Sequence, residues 1–306
     1  MFLDKYIDGG WTLAIRDRVP GEESFRGESG GKFTIVKNPW RYWCADPFLF
    51  CHQGKRYIFC EACDIFKDRG VLAYRMIDED GRISKMRVCM DTGFHLSYPN
   101  VFSYNGQIYM IPETAADGQV QVYRATQFPD KWEKCAVLLD HISACDTNLI
   151  QYEEQWYLMT LVYDTAVIPY RYDKLYTFVW NGQEFIPCME EPAVEGAKIA
   201  RNAGGIFQNE EMFYRVSQNC HNHYGEEINF HQIKKLTPTC YEEEIVGQIG
   251  VADIVVDSVQ KYDGIHTYNV DDRYEIIDLQ KKKWFRIERF IYLLNNKIRG
   301  IFKNCC

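Results

Sequence analysis

The residue types able to do chemistry recur at strand boundaries. Asp46, Tyr98, Asp146, Asn202 and His266 each open a short strand-like run, and Glu61 and Glu113 close the strands that follow the first two. Trp43 and His95 stand three residues ahead of Asp46 and Tyr98; Arg201 adjoins Asn202, and Arg215 and Gln218 lie in the next strand. Carboxylates beside arginine, histidine and aromatic rings are what glycosidic-bond chemistry requires. One carboxyl protonates the leaving oxygen. Another activates water or an acceptor hydroxyl, or attacks the anomeric carbon, and a third tunes the acid. On this reading Asp46, Glu113 and Asp146 are the candidate catalytic residues. Trp43, Glu61, His95, Tyr98, Arg201, Asn202, Arg215, Gln218 and His266 are the candidate sugar-binding residues. Taken singly, an Asp before Pro also reads as a turn initiator and a strand-end Glu as a solvated side chain.

What must position these residues is a repeat. Asp46-Pro-Phe-Leu-Phe, Tyr98-Pro-Asn-Val-Phe, Asp146-Thr-Asn-Leu-Ile, Asn202-Ala-Gly-Gly-Ile-Phe and His266-Thr-Tyr-Asn-Val each run into a polar turn and then a second strand. The starts are 52, 48, 56 and 64 residues apart. Third strands follow, such as Val71-Leu-Ala-Tyr-Arg and Val120-Gln-Val-Tyr-Arg. Five hairpin-led units of this period predict an all-β fold, a five-bladed β-propeller over residues 1–280. The lone strand Trp11–Arg16 is expected to complete the last blade and close the ring, which removes two open edges. In such a ring the strand starts converge on one mouth. A β-sandwich is the alternative architecture.

Composition limits the function classes. The chain has 306 residues, 46% hydrophobic and 25% charged, enough for a sizeable core. No apolar run approaches the ~20 residues of a membrane-spanning helix. Aromatics reach 15%, which suits strands and pockets that stack on sugar rings. The net charge is −8, yet residues 281–303 carry +7, so the rest carries −15. An acidic body argues against a nucleic-acid partner. The first residues, with Asp4, Lys5 and Asp8, lack the apolar stretch of an export signal, so a cytoplasmic location and reduced thiols are expected. Cys60-Glu-Ala-Cys63 and His221-Asn-His223 have metal-like spacing without further ligands, so no metal or cofactor is expected.

The ordered motifs resemble known families. Trp43-Cys-Ala-Asp46-Pro-Phe-Leu-Phe is similar to the first-blade motif of the five-bladed-propeller glycosidases, the arabinanase/xylosidase and invertase/levansucrase groups. That resemblance implies a base or nucleophile role for Asp46. A fuller set resembles the N-terminal propeller domain of glucosamine inositolphosphorylceramide transferases and their bacterial relatives. It comprises Ala45-Asp-Pro-Phe-Leu-Phe50, His95-Leu-Ser-Tyr-Pro-Asn100, Ile111-Pro-Glu113, Tyr123-Arg-Ala125 with Phe128-Pro and Trp132, Ala200-Arg-Asn-Ala-Gly204, Tyr224-Gly225, Tyr241-Glu242 and Gly264-Ile-His-Thr-Tyr-Asn269. It spans about residues 10–280. The glycosidase pattern places an Asp in blade two and its acid Glu in blade three. Here blade two has Tyr98-Pro-Asn100 and Glu113, and blade three opens with Asp146. In the plant proteins the transferase activity is credited to a separate domain. The resemblance therefore implies fold and sugar recognition before any one reaction.

Residues 281–306 form the second expected region. Ile287, Phe290, Ile291, Leu294, Ile298, Ile301 and Phe302 follow helical spacing among lysines and arginines, with Trp284 and Tyr292 as interface anchors. An amphipathic C-terminal α-helix over 281–303, lying on an anionic membrane surface, is expected; packing against the propeller is the alternative. Together these readings predict a carbohydrate-active enzyme that performs glycosyl transfer on a carbohydrate or glycolipid at the inner membrane face. A glycoside hydrolase and a non-catalytic glycan-binding propeller are the competing readings.

Overall fold

The computed structural model describes residues 7–8, 10–26, 31–163, 173–281 and 284–285. Among the described residues, five antiparallel sheets of four or five strands follow one another along the chain, beside one two-stranded sheet. Their inner strands are Tyr42–His52, Ser97–Tyr104, Ala144–Tyr152, Phe207–Asn209 and Tyr268–Val270. Each pairs with a second strand: Lys55–Asp64, Gln107–Glu113, Gln155–Val162, Met212–Asn219 and Tyr274–Lys281. The turns between the first three pairs are Gln53-Gly54, Asn105-Gly106 and Glu153-Glu154. Both central residues have positive φ, the geometry that matches strand twist in a two-residue hairpin.

The fold is a five-bladed propeller. Trp11–Asp17 pairs antiparallel with Tyr274–Lys281, from Trp11 opposite Gln280 to Asp17 opposite Tyr274. Thr34–Val36 adds the outer edge. The first strand of the propeller thus sits third in the last blade and closes the ring. Five apolar clusters fill the five gaps between successive blades, including Leu13, Ile15, Cys44, Ile58 and Ile276 between blades five and one. Because each blade packs on both faces, its second strand is buried on both. Tyr57 to Asp64 is therefore buried without alternation, which is why the sequence there reads as a continuous run.

The expected helix over 281–303 is corrected at its start. Lys281 ends a strand, and Trp284–Phe285 pairs with Ile7–Asp8. Residues 286–306 lie outside the described residues. Among the described residues, no helix is long and apolar enough to cross a membrane.

Candidate active site

Three equivalent bulges build the mouth of the funnel. Between Ala45 and Phe48, Ser97 and Asn100, and Cys145 and Asn148, the inner strand advances three residues while its partner advances two. The extra residue buckles the strand and re-aims a side chain. Asp46, Tyr98 and Asp146 occupy these positions with φ of 48°, 48° and 53°, a left-handed backbone uncommon outside glycine. The same register puts Glu61 opposite Ala45 and Glu113 opposite Ser97. The blade repeat thus delivers Asp46, Glu61, Glu113 and Asp146 to one end of the ring.

Asp46 is held from three sides. Its backbone N–H donates to Asp278 Oδ2 at 2.9 Å. Its carboxylate accepts from the Tyr98 N–H at 3.2 Å and from the Thr267 hydroxyl at 2.8 Å. His266 Nε2 lies 3.7 Å from Asp46 Oδ1, and His266 Nδ1 lies 2.6 Å from Asp278 Oδ2. The imidazole stacks on Trp11, with ring centroids 3.9 Å apart. Burial raises the Asp46 pKa to about 6; His266 opposes the rise, while Asp278 and Asp146 add to it. The group is mainly ionised at pH 7.

Glu113 is the complementary group. Burial, then repulsion from Asp146, pushes its pKa up to about 8, although Arg201 and the Ser97 hydroxyl pull it down. It holds its proton at neutral pH. A carboxylate oxygen of Glu113, one of Asp146 and the Cys145 sulfur all lie within 4.8 Å of one another. Asp146 is paired with Arg201, Nε to Oδ2 at 2.6 Å, and the guanidinium lies 5.1 Å from the centre of the Tyr224 ring.

Glu61 forms a further corner. Its Oε1 is buried and makes no hydrogen bond, though His95 Nε2 is 3.5 Å away. His95 Nδ1 accepts from the Gly70 N–H at 3.1 Å, which leaves Nε2 to carry the proton that faces Glu61. Burial and the carboxylates of Asp46 and Glu113 raise the Glu61 pKa. A Cβ at Gly70 would stand 2.4 Å from Glu61 Oε1 and 2.5 Å from the Leu96 carbonyl, so glycine is needed there. Trp43 is half-buried beside Gly10.

Four predicted binding residues lie beneath the mouth. Arg215 is fully buried, with Glu243 at 2.6 Å and the Ile199 carbonyl at 2.8 Å, so its donors are spent inside blade four. Asn202 is also fully buried and donates to the Asp146 carbonyl at 2.7 Å, fixing that bulge from below. Gln218 in turn donates to the Asn202 carbonyl at 3.1 Å. The Tyr98 hydroxyl donates to the Gly204 carbonyl at 2.5 Å, where Asn148 Nδ2 also arrives at 3.0 Å. These side chains position the site rather than present themselves to a ligand.

The cluster of Asp46, His266 and Asp278 brings atoms of metal-ligating type within 4.8 Å. Its donor atoms are already engaged, since both Asp278 oxygens accept two N–H groups each. In the second cluster, Glu113, Cys145 and Asp146, the Asp146 carboxylate is already paired with Arg201.

The sequence matches the family described as "Glucosamine inositolphosphorylceramide transferase 1, N-terminal" over residues 36–287. The chain belongs to this family. Glucosamine inositolphosphorylceramide transferase 1 of Oryza sativa subsp. indica is 31% identical over 206 residues, 65% of this chain and 27% of that protein. The chain thus matches about a quarter of the length of that relative. Among solved structures, the catalytic domain of the Coprinopsis cinerea GH62 α-L-arabinofuranosidase superposes with a TM-score of 0.58 at 10% identity, covering 89% of this chain and 98% of that one. A GH62 hydrolase in complex with xylotriose gives 0.53 at 11% identity, covering 78% and 91%. At these identities the likeness is one of fold.

Two residues of this family member's mouth were missed in the sequence. Asp278 lies in the second strand of blade five two residues past Ile276, the partner of Asn269, as Glu113 lies two past Ile111, the partner of Asn100, and that equivalence was the available signal. Tyr224 is 42% exposed above Arg201 and stands edge-on to His266 at 5.3 Å. Its only sequence signal was its place in the Tyr224-Gly225 motif.

Proposed function

We propose that this chain acts on glycosidic bonds by glycosyl transfer, in surface-glycan or glycolipid assembly at the cytoplasmic face of a membrane. The observation that carries the reading is the set of carboxyls that the blade bulges bring to one mouth, buried Asp46 and half-buried Glu113 with Asp146 among them; burial raises Asp46 to about 6 and Glu113 to about 8, which suits one as a base and the other as an acid at neutral pH. Asp46 takes the proton of an acceptor hydroxyl as its oxygen bonds to the anomeric carbon. Glu113 gives its proton to the oxygen that leaves. Arg201 neutralises Asp146, so the negative charge left on Glu113 meets a compensated neighbour. The exposed Tyr224 ring and the Glu61–His95 corner offer a stacking face and hydroxyl contacts to a sugar.

The name of the rice relative supports transfer, and the basic segment 281–303 suits a substrate held at an anionic surface. The same carboxyl pair with water as acceptor makes a hydrolase, and the xylotriose complex belongs to a hydrolase of related fold. The test is a product screen by mass spectrometry. The protein is incubated with nucleotide sugars plus lipid-linked or inositol-containing acceptors, and separately with xylo- and arabino-oligosaccharides. A mass gain on the acceptor that disappears in Asp46→Asn supports transfer. Shortened oligosaccharides would favour hydrolysis, and binding without turnover would favour a glycan-binding module.

A further inference from the structure

The inner end of blade five holds a buried chain of ionisable groups that the reading above does not use. Asp278 is fully buried. Its Oδ1 accepts the backbone N–H groups of His266 at 3.1 Å and Thr267 at 2.9 Å. Its Oδ2 accepts the Asp46 N–H at 2.9 Å and faces His266 Nδ1 at 2.6 Å. Both oxygens of this carboxylate are thus engaged inside the protein. With Nδ1 donating to Asp278, the other ring nitrogen faces Asp46 Oδ1 at 3.7 Å. The ring cannot turn away, because Trp11 stacks on one face and Tyr224 meets it edge-on. Gly225 presses from behind: a Cβ there would stand 2.8 Å from Trp11 and 3.3 Å from the His266 Cβ.

We propose that Asp278 is a positioning residue for Asp46, acting through His266: it holds the imidazole as a cation between two carboxylates and pins the left-handed bulge that aims Asp46 into the funnel. This rests on the reading of Asp46 as the base. The cation offsets the burial of the Asp46 carboxylate, so the base stays ionised where Glu113 still holds its proton. The other charged groups facing this pair are Asp146 on the Asp46 side and Arg201 on the His266 side. Glu61 also lies within electrostatic reach of Asp46. Burial and Arg201 lower the His266 pKa, but the two carboxylates outweigh them and the net displacement is upward. Asp278 comes from the strand paired with Trp11–Asp17 and Trp11 stacks on His266, so the strand that closes the ring also braces the base.

The experiment is an NMR titration of the full chain without any substrate, so its outcome is independent of whether a sugar is turned over. Ring nitrogen shifts assign His266 by its loss in His266→Gln. In the wild type, His266 is expected to titrate above its ordinary 6.5, as a doubly protonated ring below that midpoint. In Asp278→Asn, burial is left to dominate and the midpoint falls below 6.5. In His266→Gln, which keeps a neutral donor for Asp278, the Asp46 carboxyl carbon should titrate above its wild-type value of about 6. A wild-type His266 midpoint at or below 6.5 overturns the proposal without recourse to any variant. So does an Asp46 titration that is unmoved by His266→Gln. If the charges behave as expected but no sugar chemistry is found, the proposed function fails and the electrostatic device stands.

Discussion

Glu113→Gln separates the chemistry of the site from its stability. Glu113 is held neutral in the folded protein, with a pKa near 8 against an ordinary 4.5, so the folded state binds more protons than the unfolded one. Stability is therefore full below about pH 4.5 and falls as pH rises through the window to 8. Linkage converts the displacement into a loss of about 3 kcal/mol at pH 7 and about 5 kcal/mol at pH 9, but less than about 1 kcal/mol at pH 5. These are ceilings, since Glu113 keeps a partly open edge at the funnel. Glutamine has nearly the same shape and no proton to lose. The variant should match the wild type at pH 5 and become progressively more stable than it toward pH 9. Urea denaturation followed by tryptophan fluorescence at pH 5, 7 and 9 measures the difference. A stability difference that stays flat across this range would refute the premise that the folded protein holds Glu113 neutral.

Three further perturbations probe the parts around the pair. Gly70→Ala should displace Glu61 and His95, because its Cβ would stand 2.4 Å from Glu61 Oε1 and 2.5 Å from a backbone carbonyl that cannot give way; a crystal structure of the variant with the corner unchanged would count against the packing argument. Arg215→Ala should cost about 3–5 kcal/mol, because it strips the guanidinium from buried Glu243 and leaves it only His231 and the Tyr241 hydroxyl, whereas an exposed ligand-binding arginine would cost little; chemical denaturation decides. Removing residues 286–306 should leave the described strands intact and weaken binding to anionic vesicles, each basic residue contributing about 1 kcal/mol at low salt; co-sedimentation that is indifferent to the truncation and to salt would remove the membrane argument.

The ring was legible because each blade repeats the same hairpin, and turn residues such as Asn105-Gly106 mark where it folds back. The repeat also located Asp46 and Asp146, since equivalent starts share one bulge. It did not separate residues that face the mouth from those beneath it. Arg215 and Asn202 sit in the right blade, but side-chain direction alternates residue by residue, and both point into protein rather than into the funnel. Asp278 was hidden inside Ile276-Ile277-Asp278-Leu279, a run that reads as core although Ile276-Ile277-Asp278 parallels Ile111-Pro112-Glu113. The tail misled at its start for another reason. The helical spacing begins only at Ile287, and the residues ahead of it find distant partners, Lys281 opposite Tyr262 and Trp284–Phe285 opposite Ile7–Asp8, which make them strands.

The division of labour between Asp46 and Glu113 is tested most directly by the pH dependence of kcat/KM on the substrate identified in the product screen. The account predicts a bell with limbs near 6 and 8, from Asp46 losing its proton and Glu113 keeping it. Asp46→Asn should lower the maximum by ~10²-fold or more. A profile that is flat from pH 5 to 9, or a bell that survives unchanged in Asp46→Asn, would contradict it.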